Sequence, residues 1–226
     1  MPTIATLPDI HPLAIVPGAE PFDGADWLFE PDYDGFRALL LASAEGCEFQ
    51  GRQDGAHPGF ADLRTRVAHV LGGREAILDG QILSLDARGK PILRDLLKGR
   101  GYLAFAAADL LWLDGRDLRG LPLAERKARL GQLLPSDTGP LYKVFTLEEH
   151  GRALFEAARR LDLAGVLAKG RHDVYHESVR WYRFRNPAYR QADQRLELSH
   201  APGRARRGWR GGLHRARRRG RASRAR

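Results

Sequence analysis

The chain has 226 residues, 43% hydrophobic and 29% charged, enough for one sizeable core and little for a second domain. A single cysteine, Cys47, excludes a disulfide framework and a cysteine metal cluster, and apolar runs such as residues 103–113 are too short to span a bilayer. The formal net charge of +9 is lopsided: residues 204–226 hold 11 arginines and no acid, so 37 basic residues less 11 leaves 26 against 28 acidic ones, a body of −2. No basic stretch followed by an apolar core opens the chain, so no signal peptide is expected and a cytoplasmic location follows.

Residues 1–26 carry five prolines after Met1 and read as an extended lead-in. Residues 27–30 and 37–41 read as strands around a turn at Asp34-Gly35, with residues 48–51 pairing beside them. Phe60, Leu63, Val67 and Val70 share one helical face. Residues 76–85 form a strand bent at Asp79-Gly80, and residues 103–113 a buried strand ending at Asp114-Gly115. Leu123, Lys127, Leu130 and Leu134 recur at helical spacing, between Pro122 in a first turn and Pro135 as a stop. Residues 150–161 form another helix, for which Thr146 and Glu149 fit a capping box. Residues 166–168 and 181–185 are the last strands. Short turns between strands favour an α+β fold of mainly antiparallel sheets with flanking helices over a parallel α/β sheet. His172 and His176 stand four apart, but residues 171–178 read as a loop, so surface histidines are expected and no metal residues are assigned.

Six segments then occur in a set order. They are Glu30-Pro31-Asp32-Tyr33-Asp34-Gly35-Phe36-Arg37, Gly51-Arg52-Gln53-Asp54-Gly55, Leu78-Asp79-Gly80-Gln81, Ala107-Ala108-Asp109-Leu110-Leu111 running to Asp114-Gly115, and the pair Ala164-Gly165-Val166-Leu167-Ala168-Lys169 and Trp181-Tyr182-Arg183-Phe184-Arg185-Asn186-Pro187. Together they resemble the motifs of ATP-dependent DNA ligases, in the variety of the bacterial end-joining adenylation domain. The resemblance implies a nucleotidyltransferase (ATP-grasp-like) domain over residues 27–195, a cofactor, ATP, with Mg²⁺, and a DNA partner. It places Glu30 near the adenine, Arg37 at the ribose, Arg52 near nucleotide and DNA phosphate, and Arg183 and Arg185 at phosphates. It also implies that an OB-fold domain, which follows in ligases, is absent here, where residues 196–226 form an Arg/Gly-rich segment.

The departures share a direction. Asp32 stands where the family has the lysine that attacks ATP, and a carboxylate repels the triphosphate and gives only a labile anhydride. Ala164 replaces a glutamate that helps hold metal, and a methyl group cannot ligate Mg²⁺. Ala108 replaces the aromatic ring that stacks on adenine, worth about 1–3 kcal/mol. Gln81 replaces a glutamate. The expectation is an adenylation domain impaired in self-adenylation, with ATP binding weak or lost, Mg²⁺ doubtful and no catalytic residue assigned; the alternative is a non-catalytic nucleic-acid-binding or scaffold protein on the same fold. Lys169 is weighed as a substitute nucleophile, while Lys127 reads as a solvated helix-face lysine. The segment 204–226 is too poor in apolar residues to fold alone and reads as a disordered DNA-binding arm or as an eroded gene end. A monomer without membrane contact is expected.

Overall fold

The computed structural model describes residues 7–51, 58–135 and 139–192; Arg52, its neighbours Gln53 to Gly55, and the arginine-rich segment lie outside these residues. The elements run β1 (Ala14–Pro17), β2 (Gly24–Asp32), β3 (Phe36–Ser43), β4 (Gly46–Gly51), α1 (Pro58–Leu71), β5 (Ala76–Leu85), α2 (Leu93–Lys98), β6 (Tyr102–Leu113), β7 (Arg116–Asp117), α3 (Leu123–Leu133), β8 (Leu141–Lys143), β9 (Leu147–Glu149), α4 (Gly151–Arg160), β10 (Gly165–Gly170) and β11 (Arg180–Arg185). The strands make two sheets, one ordered β1-β11-β10-β2-β9, the other β4-β3-β5-β6-β7 with β8 beside β6. Every pairing is antiparallel except β1 with β11 and β6 with β8. This is the α+β, mainly antiparallel arrangement that the short turns favour.

Alternation along the strands builds the layers. On β3, Ala38, Leu40 and Ala42 pack with Phe60, Leu63 and Val67 of α1 and Leu130 of α3, forming the core outside the second sheet. Phe29 of β2, with Val166 and Ala168 of β10, packs under Leu154 and Ala158 of α4 outside the first sheet. The opposite faces meet each other: Leu39, Ile77 and Leu111 of the second sheet pack with Trp181 of β11 and with Ile10 and Leu13 ahead of β1. The lead-in therefore contributes buried side chains and a strand.

Two local readings are corrected. Residues 147–149 pair with β2 as β9, so their backbone is committed to a ladder and cannot form a capping box. Helix α4 has His150 as its N-cap with no side-chain cap bond, and the Thr146 hydroxyl donates to the Val144 carbonyl at 3.4 Å. The cap comes from a distance in sequence instead: the Arg152 N–H donates to Asp23 Oδ1 at 2.9 Å. At the β2–β3 turn the left-handed residue is Asp34 (φ 55°), not Gly35. Gly35 is required for space, because a Cβ there would lie 2.6 Å from the Ile82 carbonyl oxygen and 2.5 Å from Leu83 Cδ2.

The bend at Asp79-Gly80 is a register shift in the β5–β6 pairing. A Cβ on Gly80 would stand 2.4 Å from the Ala106 carbonyl oxygen and 2.6 Å from the Phe105 ring. Gly80→Ala is expected to cost about 1–3 kcal/mol through overpacking against backbone. A lowered urea midpoint checks this; an unchanged midpoint would mean that the two strands are not this closely apposed.

Candidate functional site

The inner face of the first sheet carries Glu30 and Asp32 from β2, Leu167 and Lys169 from β10, and Trp181 and Arg183 from β11. Register explains the grouping: Leu167 lies opposite Glu30 on one side and opposite Arg183 on the other. Glu30 is 1% exposed and touches two ammonium groups, that of Lys169 at 2.5 Å and that of Lys127, which reaches across from α3. Lys169 is itself fully buried, with its Nζ 3.7 Å from the centroid of the Trp181 ring. Neither Lys169 Nζ nor Glu30 Oε1 has a well-aligned hydrogen bond, so the cluster is held by charge and close contact rather than by directional bonding. Burial pushes the Glu30 carboxyl up, but the two lysines outweigh it and hold it below its ordinary value. Burial lowers the Lys169 ammonium, Glu30 resists, and the like charge of Lys127 adds to the lowering.

Asp32, 3% exposed, ends β2 and meets Arg183 Nε at 2.8 Å. The two residues lie on either side of strand β10 and are offset along it: Gly165 is opposite Asp32 and Arg185, whereas Arg183 is opposite Leu167, so the pair is a diagonal contact. Gly165 is required for the approach of β11, since a Cβ there would lie 2.0 Å from the Phe184 carbonyl oxygen. Asp32 Oδ1 accepts from the Asp34 N–H at 3.2 Å, and Gln81 Oε1 accepts from the Gly35 N–H at 3.1 Å. Gln81 thus pins the turn that follows Asp32.

Arg37 grips Asp79 through Nε at 3.1 Å and Nη2 at 2.6 Å, and donates from Nη1 to the Leu13 carbonyl at 2.5 Å. The Tyr175 hydroxyl donates to the same carboxylate at 2.8 Å, and the Arg37 guanidinium lies 4.8 Å from the Trp181 ring centroid. Four of the five residues assigned to the nucleotide are described: Glu30, Arg37 and Arg183 come together in the cleft, each already paired, and Arg185 is exposed at the end of β11. The space between Glu30, Tyr33, Ala108, Leu167 and Lys169 is a slot of about 10 Å³, room for about one water molecule. Tyr33 packs against the cluster that contains Ala108 and Val144, and burial, then the Glu30 charge, pushes its hydroxyl up to about 12. Among the described residues no group of three His, Cys, Asp or Glu side chains gathers as a metal site, and His172 is largely exposed.

Lys127 corrects the expectation of a solvated lysine: its side chain is 12% exposed and sealed against Glu30. The signal was present, since Lys127 falls on the apolar stripe of Leu123, Leu130 and Leu134 that faces the core. Its neighbour Arg126 is fully buried, bidentate to Asp109 at 2.9 and 2.8 Å, with a further bond to the Asp173 carbonyl at 2.9 Å. Tyr175 carries no sequence signal for its role, because only the return of the 171–179 loop brings it to Asp79.

A sequence profile described as the ATP dependent DNA ligase domain matches residues 14–185. The chain belongs to this family. Within it, the chain is 33% identical over 162 residues to the multifunctional non-homologous end joining protein LigD of Pseudomonas aeruginosa, covering 66% of this chain and 19% of that protein. It is 40% identical over 123 residues to a probable DNA ligase of Streptomyces coelicolor, covering 49% of this chain and 23% of that one. The chain therefore spans about a fifth of the length of these relatives. Among solved structures, a mycobacterial DNA ligase D complexed with ATP and MES superposes with a TM-score of 0.65 at 28% identity, covering 77% of this chain and 60% of that one. The expected adenylation domain of the bacterial end-joining type is thus the ligase domain that this chain resembles.

In this ligase-family domain the folded Glu30 carboxyl is more acidic than the unfolded one, so as pH falls the unfolded chain binds that proton first. Glu30 therefore contributes stability above its unfolded value of 4.5, and the contribution is lost as pH falls through the lower folded value. Glu30→Gln is expected to lower stability at neutral pH by about 3–5 kcal/mol, because two buried ammonium groups lose their counter-charge, and to flatten the acid limb. Urea midpoints measured at successive pH values below neutrality check both effects; an acid limb as steep as the parent's would show that Glu30 is not the titrating group.

Proposed function

We propose that the chain is an adenylation domain of the ligase fold that does not charge itself with AMP. The ion pair between Asp32 and Arg183 carries the reading. The family's reaction would begin with an unprotonated amine attacking the α-phosphorus of ATP, and position 32 holds a carboxylate that is already neutralised by a guanidinium 2.8 Å away. Supporting observations surround it. Glu30, the residue assigned to adenine, is occupied by Lys127 and Lys169, and Ala108 presents a methyl group to a slot of about 10 Å³. Ala164 offers no oxygen side chain to Mg²⁺. The residues present do not fit ATP with its metal, and affinity is expected at high micromolar or weaker, about −5 kcal/mol. Lys169 does not substitute as a nucleophile in this reading, because its ammonium is buried between Glu30 and Trp181.

Incubation with labelled ATP and Mg²⁺ followed by a denaturing gel is expected to leave the protein unlabelled, and Asp32→Lys is expected to stay unlabelled too. A labelled band from the parent chain overturns the reading. A band from Asp32→Lys alone would place the whole impairment at one residue and remove the closed slot from the explanation.

A role in binding DNA without catalysis is favoured by charge distribution. The body carries −2 and residues 204–226 carry 11 arginines, with Trp209 available for stacking. Binding is expected to reside in that segment and to fall steeply with salt through the loss of counterion release. Anisotropy titrations should show a chain ending at Pro202 binding nicked duplex far more weakly than the full chain at low salt. Equal binding would move the interface to the ligase-like body.

A further inference from the structure

At the junction between β9 and α4 the local sequence and the backbone pull in different directions. Glu149, the last residue of β9, has φ 65°, and the His150 N–H donates to the Glu148 carbonyl two residues back at 2.7 Å. Such a three-residue turn about a left-handed residue is rare and strained. Glycine, asparagine or aspartate would adopt it at lower cost than glutamate. The strand itself is a weak element. It is three residues long, forms an edge of the first sheet, and its register with β2 breaks between Glu148 and Glu149. Helix α4 in turn begins with little local support. Its N-cap, His150, makes no side-chain cap bond, its first turn holds no acidic residue, and the Arg152 N–H relies on the remote Asp23.

The same residues have a second solution, which the β2–β9 ladder excludes while it stands. Continued backward by one turn, α4 would start at Thr146 with Glu149 at the third helical position, the two halves of a capping box. Glu148 and Glu149 would lie in the first turn, where the helix dipole favours acids, and Glu148 would stand four residues ahead of Arg152, the favourable order for an ion pair. At about 100° per residue, Leu147 would fall within about 40° of Gly151, Leu154 and Ala158, the buried stripe of α4. In strand β9 Leu147 already packs against the cluster of Phe29, Leu154 and Ala158, so its burial is common to both arrangements. The helix would give up a short edge ladder and the ion pair of Glu148 with Arg171, in which the glutamate is 63% exposed.

The junction is also a wall. Val144, Phe145, Thr146 and Glu148 line a cavity of about 690 Å³ whose opposite side includes Ala128 and Gly131 of α3. Drawing residues 147–149 into α4 would reposition that wall and uncover β2 at Leu28 and Phe29, beside Glu30. We propose that residues 146–150 are a two-state junction: strand β9 held over a strained turn, or a capped first turn of α4, with the cavity wall and the edge of β2 changing together. This exchange is independent of whether the chain charges itself with AMP.

Backbone resonances and amide exchange rates of the full chain test it. Glu149→Gly accepts φ 65° without strain and removes the carboxylate of the box, so exchange in the β2–β9 ladder should slow at least about fivefold. Asp23→Ala removes a bond that only the strand arrangement uses, because in the longer helix the Arg152 N–H would bond to the Glu148 carbonyl. It should speed exchange in that ladder at least about fivefold, leave the β5–β6 ladder unchanged, and move the Cα shifts of residues 147–149 toward helical values. The amide shifts of Ala128 and Gly131 should move in proportion across the series. Should Asp23→Ala not fold, Thr146→Val decides beside Glu149→Gly, since it removes the other half of the box and should also slow ladder exchange. Cα shifts that move toward random-coil values in Asp23→Ala mean that the helix end only frays, and overturn the two-state junction. Ladder exchange that stays the same or quickens in Glu149→Gly overturns it as well. Helical shifts at 147–149 with Ala128 and Gly131 unmoved would overturn the coupling to the cavity.

Discussion

Two adjacent residues on α3 hold the two halves of the cleft in relation to each other. Arg126 and Lys127 are about 100° apart around the helix axis. Arg126 turns to Asp109 on β6 of the second sheet, and Lys127 turns to Glu30 on β2 of the first. One turn of helix thereby clamps both sheets through charges that have almost no contact with water. Helix α3 cannot rotate or slide without uncovering a buried carboxylate, and stranding a buried charge costs about 3–5 kcal/mol. A hydrophobic contact would tolerate such a shift at far lower cost, so the ion pairs specify the packing more than they add to net stability.

The same economy of charge governs the cleft itself. Nucleotidyl transfer needs groups held ready but unsatisfied: a free amine, donors waiting for phosphate, an acceptor waiting for a base. Here Glu30, Asp32, Arg37 and Arg183 have partners within the chain. A nucleotide entering would have to break internal pairs in a region of low dielectric before making its own contacts. Ala106 and Ala108 are packed in one cluster with Leu83 and Val144, and Tyr33 lies against it. The slot is narrow although Ala108 lines it, because the surrounding side chains are closely packed.

Much of the fold is legible along the chain. Strand β5 occupies residues 76–85, and α3 lies between Pro122 and Pro135 as their backbone chemistry dictates. The ordered motifs identify the family. What failed was local reading of positions whose partners are remote. Thr146 and Glu149 have the spacing of a capping box, yet strand pairing with β2 claims the backbone between them and Asp23 caps the helix. The turn at Asp34-Gly35 is legible, but not its division of labour: Asp34 takes the left-handed conformation and Gly35 is needed for the approach of β5.

By itself the sequence determined the longer strands and helices, the antiparallel architecture and the ligase-family membership, because periodicity and turn chemistry act over a few residues and the motifs keep their order; the short elements β1, α2, β8 and β9 were not legible in it. It also marked position 32 as a carboxylate where an amine would be required. The tertiary structure alone decided who neutralises that carboxylate: Arg183 reaches Asp32 diagonally across β10 from a position opposite Leu167. It likewise decided that Lys127 is buried against Glu30 rather than solvated. Electrostatic partners are set by distances between segments remote in sequence, and no local pattern encodes such a distance until the sheets have packed.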